Sequence, residues 1–211
     1  MLQAAAQAEL KWWIARLEQP HEEGVPLATR GSFPTSGDPS VLDSYSDASR
    51  ELGSTSRSGA GAWCIIAGVF CFIERRWTTY ERESYSINVL EYAAMNMGSF
   101  TFIKEARARG LPISHLREHV DNSAAECVAE RGRPKTERMQ VLTQRRYQRL
   151  ADEKVYSAVF RIASVDNDIA DGLSRGGSML QNAIKMAVQA GLTVRRLEID
   201  GAEDELYSYL G

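Results

Sequence analysis

The chain of 211 residues is short of the features that mark several protein classes. It has three cysteines, Cys64, Cys71 and Cys127, an odd number without metal-type spacing. That excludes a disulfide scaffold and points to reduced thiols in an intracellular compartment, cytoplasmic or nuclear. Only three histidines are present; His115 and His119 stand four apart, but Leu116 occupies the position where a zinc-protease motif needs glutamate. The longest apolar run, Ala60 to Ile73, falls short of the ~18–20 residues a bilayer-spanning helix requires, and Gly68 divides it into two expected strands. The first residues lack the basic start and apolar middle of a signal peptide, so a soluble protein is expected. Charge of one sign is also missing: the net value of −3 gives no global attraction to nucleic acid, so any basic footprint must be local. The glycines Gly53, Gly59 and Gly61 lack the Lys-Ser or Lys-Thr that would make them a phosphate loop.

An ordinary globular composition remains, with 44% apolar and 25% charged residues. Residues 1–40 read as a helix carrying the apolar stripe Leu10, Trp13, Ile14 and Leu17, followed by a linker rich in Pro, Gly, Ser and Thr. Alternation around Asp43, Tyr45 and Asp47 predicts a first strand, and Gly61–Ile66 with Val69–Glu74 a hairpin. A long helix should run from Ser84 or Ser86 to about Arg109, and Ile113 to Asp121 reads as a further strand. Ser123 and Glu126 have the spacing of a capping box for a short helix ending at Gly132. Another helix should follow Pro134 and Thr136, then a strand within Val155–Val165, then a helix capped by Asp166 or Asn167. The order β-β-β-α-β-α-α-β-α implies a mixed α/β sheet, hairpins first and parallel crossovers later. Residues 177–211 form an extension with one more helix and a possible strand at Thr193–Ile199.

Four carboxylates fall where such a fold can aim them at one point. Asp47 lies in the first strand, Glu91 on the apolar face of the long helix, Asp121 at a strand end and Asp171 on the late helix. A buried glutamate is costly as an ion without a partner. Carboxylate oxygens are hard ligands suited to Mg²⁺ or Mn²⁺, which also neutralise clustered negative charge. Two such ions can clamp the attacking and leaving oxygens of a phosphodiester, so a metal-dependent nuclease is expected. Asp43 and Asp168 are the nearest competitors for the same work and are expected outside the cluster or at its rim, as is Asp166. A basic stretch, Arg131, Arg133, Lys135, Arg138, Arg145, Arg146 and Arg149 against the acid Glu137, is expected to follow a nucleic-acid backbone. Trp77, beside Arg75 and Arg76, reads as core with backbone contact as the alternative.

The segments Tyr45-Ser-Asp47-Ala-Ser, Leu90-Glu91-Tyr-Ala-Ala, Val120-Asp121-Asn-Ser and Asn167-Asp-Ile-Ala-Asp171-Gly-Leu-Ser-Arg175 together resemble the ribonuclease H domain of a retroelement reverse transcriptase. Glu9-Leu-Lys-Trp12-Trp13 is similar to the connection preceding that domain in DIRS-like elements and pararetroviruses. The resemblance covers Leu42 to Arg175, and more loosely the flanks, so a domain over residues 41–176 is expected. It implies a ribonuclease H-like five-stranded mixed sheet, its first three strands antiparallel, flanked by helices. It also implies a metal-binding tetrad of Asp47, Glu91, Asp121 and Asp171 holding two Mg²⁺ or Mn²⁺ ions, and hydrolysis of the RNA strand of RNA·DNA hybrids. A polymerase domain of the same element is the implied partner. Cellular members of the family carry a histidine before the last helix, where this chain has Ile162-Ala-Ser-Val165. The other readings are a non-catalytic nucleic-acid-binding module on the same fold and a transposase- or resolvase-type nuclease. The latter's usual acid order places glutamate last rather than second.

Overall fold

The computed structural model describes residues 33–51, 57–132, 134 and 136–199, together with Lys11 and Ile14. The expected contacts of Trp12 and Trp13 therefore lie outside the described residues, as do those of Arg133 and Lys135. Strand β1, Val41–Ala48, pairs antiparallel with β2, Gly59–Ile66, which pairs antiparallel with β3, Val69–Arg76. The hairpin turn at Ala67 and Gly68 has positive φ at both residues, as a two-residue turn between right-twisted strands requires. Helix α1, Thr79–Ser84, leads to the long α2, Ile87–Ala108; then come β4, His115–Val120, and α3, Ser123–Arg131. Next are α4, Glu137–Asp152, β5, Tyr156–Arg161, and a 3₁₀ turn at Ser164–Asp166. The chain continues through α5, Asp168–Arg175, α6, Ser178–Gln189, and β6, Thr193–Arg196.

The sheet order is β5-β4-β1-β2-β3-β6, with β4 and β5 parallel to β1. This is the ribonuclease H-like arrangement expected from the sequence, with six strands rather than five. The sixth exists because α6 carries the chain back along β3: β6 pairs parallel with Val69–Phe72 and covers an edge that would otherwise expose unpaired backbone. Helix α1 is a further addition, opened by a capping box in which Thr78 and Glu81 exchange hydrogen bonds.

Side chains alternate between the two faces of the sheet. Leu42, Ala62, Cys64, Ile73, Leu116, Val120 and Val159 meet α2, α3 and α4 in the main core. Phe70 and Phe72 meet Leu173, Ala183 and Ala187 from α5 and α6 on the other face. Trp77, 2% exposed, is core, its indole N–H donating to the Ser49 carbonyl. The described cysteines are free. Among the described residues no helix is long and apolar enough to cross a membrane.

Candidate metal centre

Two close approaches let helices from opposite faces reach the end of β1. A Cβ on Gly61 would lie 2.4 Å from the Ser174 backbone nitrogen and 2.7 Å from the Ala170 carbonyl, so glycine alone lets α5 sit this close to β2. Gly61 is paired with Asp47 across β1 and β2. On the other face, Gly98 of α2 rests against Ala62, where a Cβ would come within 2.6 Å. Further ties fix α5: the Asn167 amide donates to the Ser46 carbonyl at 3.0 Å, and the Ser49 hydroxyl donates to the Ser174 carbonyl at 2.9 Å.

Asp47, near the end of β1, is 6% exposed, and Ser174 Oγ donates to its Oδ2 at 2.5 Å. Glu91, in the second turn of α2, is 8% exposed and accepts the Ala48 N–H at 3.2 Å. Asp121 follows β4 directly and is half-buried. One carboxylate oxygen from each of these three lies within 4.8 Å of the others. Burial pushes the Asp47 carboxyl up to about 6; repulsion from Asp121 and Asp171 adds to this, while Ser174 and Arg175 oppose it. Burial, with repulsion from Asp47 and Asp121, pushes Glu91 up to about 9 against the opposing bonds from Ala48 and Asn122. An all-oxygen donor set, buried and mutually repelling, fits a hard divalent cation such as Mg²⁺ or Mn²⁺.

Asp171 stands outside this compact trio. It sits one turn before Ser174, close enough for its charge to be felt at Asp47, but its Oδ1 accepts from Arg175 Nε at 2.7 Å. Asp43 lies elsewhere, bonded to Arg117, His119 and Ser36.

Two neighbours of the trio carry roles that the carboxylate pattern alone did not show. Ser174 orients Asp47. Asn122, and not Ser123, caps α3: its side-chain oxygen accepts the N–H groups of Ala124 and Ala125, while its amide serves Asn88 and Glu91. The expected capping box fails because the helix begins one residue earlier, leaving Ser123 exposed. The local signals were Ser174 inside the Leu-Ser-Arg ending and an asparagine directly after Asp121.

The basic stretch divides. Arg146 is a correction to the expected backbone track: it is 2% exposed and ion-paired with Glu118, with Asn96 and Ser157 accepting further bonds. A guanidinium enclosed in that way cannot meet a phosphate. Arg138 lies over the Tyr85 ring at 4.7 Å and Arg149 over Phe100 at 4.2 Å, while Arg131 is exposed and Arg145 half-buried.

No protein-family model and no curated protein matches the chain. Among solved structures, it is similar to the RNase H1 of the archaeon Halobacterium salinarum, with 14% identity over 70% of this chain and 99% of that one and a TM-score of 0.45. It is likewise similar to the N-terminal RNase H domain of a Mycobacterium tuberculosis protein, at 18% identity, 72% and 98% coverage and a TM-score of 0.43. A third, LC11-RNase H1 in complex with an RNA/DNA hybrid, shows 14% identity, 70% and 99% coverage and a TM-score of 0.41. The strand order and pairing given above carry the fold assignment by themselves.

Proposed function

We propose that this chain is a metal-dependent endonuclease that hydrolyses the RNA strand of RNA·DNA hybrids, within or derived from a retroelement reverse transcriptase. The observation that carries the reading is the convergence of Asp47, Glu91 and Asp121 oxygens within 4.8 Å at the end of β1. In this reading those three carboxylates hold two Mg²⁺ or Mn²⁺ ions, and Asp171 completes the set at the rim. When bound, such ions supply Lewis-acid stabilisation of charge at the scissile phosphate and an activated water. The chain's own residues hold the geometry. Ser174 fixes the Asp47 rotamer, the Ala48 N–H and the Asn122 amide fix Glu91, and the enclosing sheet and helices keep Asp47 and Glu91 from bulk water. Cleavage would leave a 3′-hydroxyl and a 5′-phosphate. Arg131, Arg138, Arg145 and Arg149 remain as the proposed backbone contacts, joined by Arg133 and Lys135.

The retroelement context rests on the four quoted motifs, and with it go the division into residues 1–40, 41–176 and 177–211 and a polymerase domain as partner. A non-catalytic binding module is the second reading; the pairing of Asp171 with Arg175 and the absence of a histidine in Ile162–Val165 favour it. A strand-labelled hybrid incubated with the protein and Mg²⁺ separates the two. Cutting confined to the RNA strand and stopped by EDTA supports the nuclease; binding without cutting supports the module.

A further inference from the structure

The face of the sheet opposite α2, α3 and α4 carries a continuous row of rings. Trp63 stacks on Phe70 at 5.4 Å and on Tyr45 at 4.3 Å; Tyr45 stacks on His119 at 4.4 Å, and His119 on Phe160 at 5.8 Å. Helices α5 and α6 cover this face over β2 and β3, and the helices that reach β4 and β5 pack through Leu116, Val120 and Val159 on the other side. Beside the row, toward the start of β1 and away from the three carboxylates, lies a groove of about 460 Å³. Asp43, Tyr45, Trp63 and Ile65 line it, with Ser36 to Pro39 along one wall. Ile65 is 48% exposed, and the Trp63 indole N–H is buried with no acceptor among the described residues. These are the marks of an apolar surface that something covers.

The chain itself indicates the occupant. The first residues of the continuous described chain lie on this face: Phe33 packs edge-on against His115 at 5.0 Å and near Phe160 at 6.5 Å, and the Pro34 carbonyl accepts from Arg117 at 3.2 Å. The continuous described chain therefore starts beside the ring row. What precedes it includes the stripe Leu10, Trp13, Ile14 and Leu17, an apolar edge at helical spacing. Ile14 is 45% exposed, an apolar side chain still to be covered. The stretch between Leu17 and Phe33 can reach about 50 Å when extended, at ~3.3–3.6 Å per residue, enough for any point on the face.

We infer that the N-terminal stripe of this chain docks in cis on the Tyr45–Trp63–Ile65 groove, clamping the segment before β1 onto the sheet at the end remote from the carboxylate trio. None of the three carboxylates lines the groove, so docking there does not displace them.

Photo-crosslinking on the full chain tests this. Benzoylphenylalanine in place of the half-exposed Ile65 should cross-link to peptides from residues 1–19, whereas the same probe at Val165, 77% exposed, should not. Mixing isotopically light and heavy protein identifies whether each cross-link joins one chain or two. Cross-links within single chains that drop to background in the Leu10→Asp/Ile14→Asp variant support the inference. No cross-link to residues 1–19, cross-links only between two chains, or cross-links that survive that variant would overturn it. A circular-dichroism spectrum unchanged from the parent establishes that each probe-bearing chain is folded.

Discussion

Ser174 and Asp47 are joined at 2.5 Å across the junction of α5 and β1, a side-chain bond that ties the late helix to the carboxylate trio. The hydroxyl donates to the carboxylate and holds its proton affinity down against burial and against Asp121. Ser174→Ala should therefore weaken Mn²⁺ binding near neutral pH by about tenfold, the lower end of the ~1.5–3 kcal/mol expected for a hydrogen bond to a charged group. Calorimetric titration at several pH values checks this, and the deficit should shrink as pH rises.

Asp47 and Glu91 both hold protons more tightly in the fold than in the unfolded chain, with values about 6 and about 9 against ordinary values of 3.8 and 4.5. Raised carboxyl values mean that the folded state binds more protons, so the metal-free protein should lose stability as pH climbs from about 4 to about 9. Mg²⁺ should restore it, and by more at pH 8 than at pH 5. Glu91→Gln should stabilise the metal-free protein at pH 8 while removing most of the Mg²⁺ response. Thermal melts across pH, with Mg²⁺ and with EDTA, give the comparison. A parent melting temperature that rises with pH in EDTA would contradict the sign.

Gly61→Ala drives a methyl into the α5 backbone, which is not the yielding end of a flexible side chain. A loss of about 1–3 kcal/mol in urea denaturation is expected for overpacking of this kind. Mn²⁺ affinity should fall with it, since displaced α5 carries Ser174 away from Asp47.

Arg146→Ala should behave unlike its basic neighbours. It leaves Glu118, 1% exposed, charged and unpaired, and should cost about 3–5 kcal/mol of stability. Neutralising Arg131, Arg145 and Arg149 should cost less stability, chiefly the Arg149 contact with Phe100, and flatten the dependence of log affinity on log salt by about one unit per lost phosphate contact. Filter binding of a hybrid at several salt concentrations, beside urea melts, separates the two effects.

The contrast between Arg146 and Glu91 explains what was legible in the sequence. Period-two alternation placed β1 and β4, whose buried residues follow one face, whereas cap and turn residues placed the hairpin and α2, which are buried on more than one face. The trio was visible because Asp47 and Asp121 fall near strand ends and Glu91 in the apolar phase of α2. The same test applied to α4 puts Arg146 in phase with Met139, Leu142, Thr143 and Leu150, all buried, and Glu118 in phase with Leu116 and Val120. Two opposite charges in core phases spell a buried pair, but a count of arginines along a helix reads them as surface. The start of α3 turned on which of two adjacent capping residues the backbone chose, and β6 on an edge known only once β3 is placed. Neither is a property of local spacing.

In the proposed reading the Asp47, Glu91 and Asp121 carboxylates hold metal to cut RNA paired with DNA. Single-turnover cleavage of a labelled hybrid by the parent and by Asp121→Asn, with Mn²⁺ binding measured on the same preparations, tests it most directly. Asp121 is half-buried, so its amide replacement should leave the fold intact. The expected result is RNA-strand cleavage by the parent with Mn²⁺, none in EDTA, and loss of both cleavage and tight Mn²⁺ binding in the folded variant. Full cleavage by Asp121→Asn, or by the parent in EDTA, would contradict it.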